Sequence, residues 1–302
     1  MKNNFEFLNP FANNDIDDFD VEKYRASIQE CFKIQPQKKV DYQIVILGAG
    51  KGSRMGIDYP KVLYELDYPE GKTSILNNTL NNIKILEEFI SIKDIYLAIN
   101  QNASAHFYMQ NFQNRVDIIE LHNSDIRGTA VSINAIKRKI NPKYYTIFLW
   151  GDLALWRVSD LNIVLYLQTI TNCDLAFPTR IKKDPYVAFI RSEDGKLSSI
   201  IHSNEEKGFV GRAEQDCLLF SCAPGALNHL DEFLSKKNTI EEIDFIHYVL
   251  FLAQKGLSVI PIPISTEGTV FGLNTPQRAK EINEVLCNLS SKNYHNLFRK
   301  IN

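Results

Sequence analysis

Gln43-Ile-Val-Ile-Leu47 runs directly into Gly48-Ala-Gly-Lys-Gly-Ser-Arg-Met-Gly56, and Pro60-Lys61-Val-Leu63 follows within one loop length. The first five residues form a short apolar run rich in β-branched side chains, the signature of a buried strand. The glycine-rich segment therefore starts at that strand's carboxyl end, the edge where open α/β sheets bind ligands. With glycine at 48, 50 and 52, backbone N–H groups can converge on an anion without Cβ obstruction, and Lys51 and Arg54 add positive charge. The pattern points to polyphosphate binding. Two well-known phosphate loops compete, and each departs at a specific residue. A Walker A loop needs Ser or Thr after Gly-Lys and a glycine five residues before the second glycine, but Gly52 follows Lys51 and position 45 is Val. A dinucleotide fingerprint read from Gly48 needs Gly or Ala where Ser53 stands.

Outward from this segment, apolar runs alternate with helical patterns: a helix over 74–90, strand 95–99, helix 103–113, strand 116–121, helix 130–140 and strand 145–150. Such alternation predicts a doubly wound α/β fold, with a mostly parallel sheet covered by helices on both faces. The second half reads as β-rich, with strands at 175–178, 186–191, 197–202 and 217–222, helices at 226–234, 240–254 and 276–289, and a further apolar run at 257–263. We assign residues 41–302 to one domain and 1–40 to an extension. Within the extension Val21, Tyr24, Ile28, Cys31 and Phe32 recur at helical spacing, as expected of an amphipathic helix that packs on the domain or, alternatively, joins two copies into a homo-oligomer or binds another partner.

The 302 residues include 34 basic and 36 acidic side chains, a net charge of −2. No global field attracts nucleic acid or an anionic membrane, so phosphate binding must be local. Five cysteines without a CxxC pair argue against a disulfide framework or a zinc site. There is neither a secretory leader pattern nor a membrane-spanning apolar run, so the expectation is a soluble cytoplasmic protein.

The segment Leu47 to Met55 followed by Pro60-Lys61-Val-Leu resembles the signature of the sugar-1-phosphate nucleotidyltransferases, or pyrophosphorylases. It is most similar to the uridylyltransferase domain of bacterial N-acetylglucosamine-1-phosphate uridylyltransferases. The resemblance implies a Mg2+-dependent enzyme that joins a nucleoside triphosphate, UTP favoured, to a sugar-1-phosphate and releases pyrophosphate. Arg54 and Lys61 would be catalytic, and Leu47, Gly48, Ala49, Gly50, Lys51, Gly52 and Ser53 would hold the nucleotide. Asp152, in the Gly-Asp after strand 145–150, and Asn274, in Phe271-Gly-Leu-Asn-Thr-Pro276, would be the metal ligands. Gly128 and Thr129 would touch the base, and Asn123 stands where the family has a base-reading Gln one methylene longer. An amide donates and accepts, as a pyrimidine edge requires.

The sugar side departs further from the family. Its glycine-rich turn is replaced by Asp184-Pro-Tyr-Val187, and the contacts to sugar would fall to Tyr186, to His202 or a position near Glu205, and to Asp216; the family's Thr-Asp is not reproduced near Asp244 to His247. No hexapeptide repeats of the acetyltransferase domain found in bifunctional relatives occur in the sequence. The alternatives kept are transfer from CTP or another triphosphate to a different phosphorylated acceptor, and a nucleotide-sugar-binding protein without turnover.

Overall fold

The computed structural model describes residues 10–11, 16–34, 39–50, 53–101, 111–112, 114–122, 128–203, 208–237 and 242–301. The expected helix over 103–113 lies almost wholly outside these residues. Helix α1 (Val21–Ile34) precedes strand β1 (Asp41–Leu47), whose interior residues are buried on both faces. A hairpin of β2 (Glu65–Tyr68) and β3 (Gly71–Ser74) leads into helix α2 (Ile75–Leu86), capped by the Ser74 hydroxyl on the Asn77 N–H. Strand β4 (Ser91–Asn100) then runs parallel to β1, and β5 (Asp117–Leu121) parallel to β4. Helix α3 (Thr129–Ile136) returns the chain to β6 (Tyr145–Trp150), parallel to β1 on its other side.

Sequential strands thus leave β1 in opposite directions. That reversal of strand order opens a crevice at the carboxyl ends of β1 and β6.

A short strand β7 (Leu153–Leu155) and helix α4 (Val158–Thr171) follow. Beyond them the sheet becomes mixed: β8 (Leu175–Lys183), β9 (Val187–Arg191), β10 (Leu197–His202), β11 (Arg212–Asp216) and β12 (Leu219–Cys222) are joined antiparallel. The strand order is β10-β9-β11-β8-β12-β6-β1-β4-β5. The expected single strand over 217–222 is broken at Leu218, whose φ of 59° takes the backbone out of the extended region. Strand β12 accordingly starts only at Leu219 and pairs with β6 and β8, while β11, which ends at Asp216 before the break and is not among the expected strands, pairs with β8 and β9. Short helix α5 (Leu230–Ser235) and helix α6 (Phe245–Gln254) lead to β13 (Val259–Ser265), parallel to β8. Strand β14 (Phe271–Gly272) pairs with β7, and helices α7 (Pro276–Cys287) and α8 (Ser291–Tyr294) follow.

Helix α4 has no counterpart in the sequence reading. Every residue from Val158 to Ile170 is buried, the polar Ser159, Asp160, Asn162, Gln168 and Thr169 included, so the helix has no solvent face and shows no 3.6-residue alternation of apolar and polar residues. One side lies on β8 and β12; the other is covered by α1, whose Ile28, fully buried, joins Ile163, Val164, Tyr166, Leu167 and Ile170 in one cluster. Among the described residues no helix is long and apolar enough to cross a membrane.

Candidate active site

The crevice is built by two glycines that let backbones touch. Gly48 N–H continues the β1–β4 ladder onto the Ala98 carbonyl at 2.8 Å, and Gly151 N–H donates to the Leu47 carbonyl at 2.9 Å. A Cβ on Gly151 would lie 2.5 Å from Val62 Cγ1 and 2.7 Å from the Leu47 oxygen. Position 151 therefore excludes any larger residue without movement of its neighbours. Val62, 2% exposed, is wedged against both glycines. It anchors a single turn, Lys61–Leu63, entered through Pro60 at φ −61°. This turn aims Lys61 into the crevice, since proline restricts both its own φ and the residue before it.

Lys61 Nζ donates to Asp152 Oδ2 at 2.7 Å, Asn274 Oδ1 at 3.1 Å and the Leu273 carbonyl at 3.3 Å. Asp152 follows β6, and Asn274 precedes α7, where Thr275 caps the Arg278 N–H and Pro276 takes the first helical position. The two segments are tied by β7–β14 pairing and by Leu273 N–H on the Asp152 carbonyl at 2.7 Å. Arg54 is exposed, in the turn Ser53–Met55 that buried Met55 pins to the core, and its Nη2 reaches Asn274 Oδ1 at 3.5 Å. Gly50 lies alongside, with Lys61 Cε 4.0 Å from where its Cβ would be. The structure therefore brings Leu47, Gly48, Gly50, Arg54, Lys61, Asp152 and Asn274 to one edge, with Ala49 packed against the neighbouring apolar cluster. Lys51, Gly52, Asn123 and Glu205 lie outside the described residues, and of Ser53 only the backbone is described.

Gly128 and Thr129 are engaged in a clasp between two helix starts. Gly128 has φ 97°, and a Cβ there would fall 2.4 Å from the Ile243 N and O atoms. Ala130 N–H donates to the Ile243 carbonyl at 3.0 Å. The Thr129 hydroxyl accepts from Phe245 N–H at 2.7 Å and faces Asp244 Oδ1 at 3.4 Å. Asp244, which sequence reasoning left without a role, is thus joined to Thr129 by a contact 115 residues apart in the chain. Only its place before an apolar helical run could have drawn attention to it.

Asp216 ends β11, opposite Thr179 of β8, two residues before Leu218, whose carbonyl accepts from Trp150 N–H at 3.1 Å. Burial pushes the Asp216 carboxyl above its ordinary range and the charge of Asp244 adds to this, while the Leu218 N–H on Oδ2 at 3.1 Å and the nearby Arg180 oppose it. Tyr186 and His202 form a separate pair at the end of the β-rich half, ring centroids 4.5 Å apart, with Tyr186 exposed and His202 buried.

The doubly wound sheet extended by an antiparallel half is a fold shared with solved nucleotidyltransferase structures. No protein-family model matches the chain. Over 238 residues it is 24% identical to the bifunctional protein GlmU of Marinomonas sp. (strain MWYL1), covering 76% of this chain and 49% of that protein. The chain spans about half the length of that relative and of a second GlmU, from Clostridioides difficile (strain 630), 22% identical over 82% of this chain. Among solved structures, the fold is similar to the inositol-1-phosphate CTP transferase from T. maritima, with TM-score 0.61 and 14% identity over 84% of this chain and 98% of that one. It is also similar to a UDP-glucose pyrophosphorylase complexed with UDP-glucose, with TM-score 0.59 and 11% identity over 82% and 97% of the two chains.

Proposed function

We propose that this chain is a nucleotidyltransferase that joins a nucleoside triphosphate, UTP favoured, to a sugar-1-phosphate, an N-acetylhexosamine or hexose derivative, and releases pyrophosphate. The observation that carries the reading is the convergence of Lys61, Asp152 and Asn274 beside Gly48, from segments up to 213 residues apart. A carboxylate and an amide oxygen at the crevice form a hard donor set, and Asp152 Oδ1 is buried without a hydrogen-bond partner among the described residues. Such a set fits Mg2+, which takes few protein oxygens and completes its shell with phosphate and water. Asp152 and Asn274 would hold the metal, which would neutralise charge on the triphosphate.

The chain's own residues supply position and charge. The amides of the Gly48–Gly50 segment and the Arg54 guanidinium bind the β and γ phosphates, with Lys51, Gly52 and Ser53 completing the loop; Lys61 steadies the α-phosphate and the acceptor phosphate. An acceptor phosphate oxygen attacks the α-phosphorus in line, the bond from that phosphorus to the oxygen bridging to the β-phosphate breaks, and pyrophosphate leaves with the electron pair. No general base is needed, because a phosphate monoester with a second pKa of about 6 is already mostly dianionic near neutral pH. Gly128, Thr129 and Asn123 would contact the base, and Asp216, Tyr186 and His202 the sugar. Asp216 stays a hydrogen-bond acceptor for sugar hydroxyls in either protonation state.

The test is a pyrophosphate-release screen with Mg2+, the four triphosphates, and a panel of sugar-1-phosphates and phospho-alcohols. Release with UTP and a hexose- or hexosamine-1-phosphate supports the reading. Release only with CTP and a phospho-alcohol moves it to a cytidylyltransferase, and no release with any pair moves it to a binding protein.

A further inference from the structure

A lysine ammonium has three N–H donors and no acceptor. In this structure the donors of Lys61 are engaged by Asp152 Oδ2, Asn274 Oδ1 and the Leu273 carbonyl. The ion pair is largely enclosed, with Lys61 and Asp152 side chains each 15% exposed. Lys61 therefore has no donor left for a phosphate. Two of its acceptors are also the oxygens proposed above for a divalent cation, and an ammonium and a metal ion cannot share them at contact distance, because like charges repel strongly in an enclosed site. One position has two claimants, and both belong to the same reaction.

We propose that Lys61 is a built-in stand-in for the divalent cation: it fills the cation position in the resting protein and is displaced when the metal arrives, freeing its ammonium for phosphate. This rests on the reading of the site as a metal-assisted nucleotidyltransferase. The stand-in keeps the enclosed Asp152 carboxylate partnered before ligands bind, since an unpaired charge there is costly. The replacement is incomplete, because Asp152 Oδ1 stays buried and unpartnered among the described residues; an incoming cation gains an oxygen that the ammonium does not reach. The exchange involves only the side chain. Val62 and Pro60 fix the backbone of residue 61, whereas the lysine stem is long and rotatable. Triphosphate and metal then favour each other's entry: the phosphates offer the ammonium the acceptors it loses, and the departing ammonium opens the oxygens the metal takes.

The experiment measures Mn2+ binding by the electron paramagnetic resonance signal of free Mn2+, using the full chain without nucleotide. Wild type, Lys61→Met, Lys61→Gln, Asp152→Asn and the Lys61→Met/Asp152→Asn pair are compared, each checked for native circular dichroism; the two Lys61 variants guard against one failing to fold. Removing the ammonium is expected to tighten Mn2+ binding at least about tenfold, roughly 1.4 kcal/mol, and Asp152→Asn is expected to abolish the gain. A Lys61 variant binding Mn2+ within about twofold of wild type would overturn the exchange, as would a gain that survives Asp152→Asn. The readout involves no turnover. Mn2+ gain with no pyrophosphate release in the screen removes the enzymatic reading alone; release with no Mn2+ gain removes the exchange alone.

Discussion

Replacing Arg25 tests whether α1 is part of the fold or an ornament on it. Its side chain is 7% exposed and that of Asp160, on α4, is 1% exposed. Arg25 donates to Asp160 Oδ1, to the Ile264 carbonyl at 2.9 Å and to Ser159 Oγ at 2.9 Å, while the Ser265 hydroxyl donates to Asp160 Oδ2. One guanidinium thus joins α1, α4 and β13. Arg25→Met keeps most of the apolar stem and leaves a buried carboxylate held only by a hydroxyl. Removing one partner of a buried pair costs about 3–5 kcal/mol, a large share of a folding stability of roughly 5–15 kcal/mol. Partial rehydration of Asp160 at the loosened helix puts the expected loss at the low end, about 3 kcal/mol. Adding Asp160→Leu, which removes the stranded charge, should recover most of it. The assay is urea unfolding followed by circular dichroism and by the fluorescence of the two tryptophans, Trp150 and Trp156, the latter 1% exposed. A loss below about 1 kcal/mol for Arg25→Met, with an unchanged m-value, would refute the claim that α1 is fastened to α4 through this pair.

Gly128→Ala should cost more than about 2 kcal/mol in the same assay, because it combines a left-handed φ with a Cβ 2.4 Å from the Ile243 backbone; a change below about 0.5 kcal/mol would mean the clasp yields freely. Asp216 gives a pH signature. Its folded carboxyl titrates above its ordinary value, so the folded state holds the proton more tightly than the unfolded chain. The resulting stabilisation is complete below the unfolded value of about 3.9 and is lost as pH rises through the raised one. Urea midpoints of wild type relative to Asp216→Asn should therefore fall across that window, and a flat or rising difference would contradict the burial argument.

The crevice was legible because its parts are local. Glycines at 48 and 50, Arg54 and the Pro60-Lys61 pair each have a conformational or chemical reason visible within a few residues, Asp152 follows a strand that the apolar run predicts, and Asn274 was singled out by the family resemblance. What escaped is non-local or non-periodic. Helix α4 is buried all round, so it lacks the alternation that marks a helix. The amphipathic pattern of α1 announced an apolar stripe without naming α4 and β13 as its partners, and nothing in that pattern marks Arg25. Leu218 carries no turn residue type, although its φ of 59° splits β11 from β12. Asp244 meets Thr129 only through tertiary folding, and no spacing rule reaches across 115 residues.

The central claim is that the Gly48–Lys61 segment and Asp152 form one nucleotidyl-transfer site, and it is tested most directly by pyrophosphate release from Mg2+ and UTP with a hexosamine-1-phosphate, in wild type and in Asp152→Ala of matched folding. The account predicts release by wild type that depends on the acceptor, and a drop of at least roughly tenfold in the variant, about 1.4 kcal/mol of transition-state stabilisation. Equal rates in the two proteins, or release indifferent to the acceptor, would contradict it.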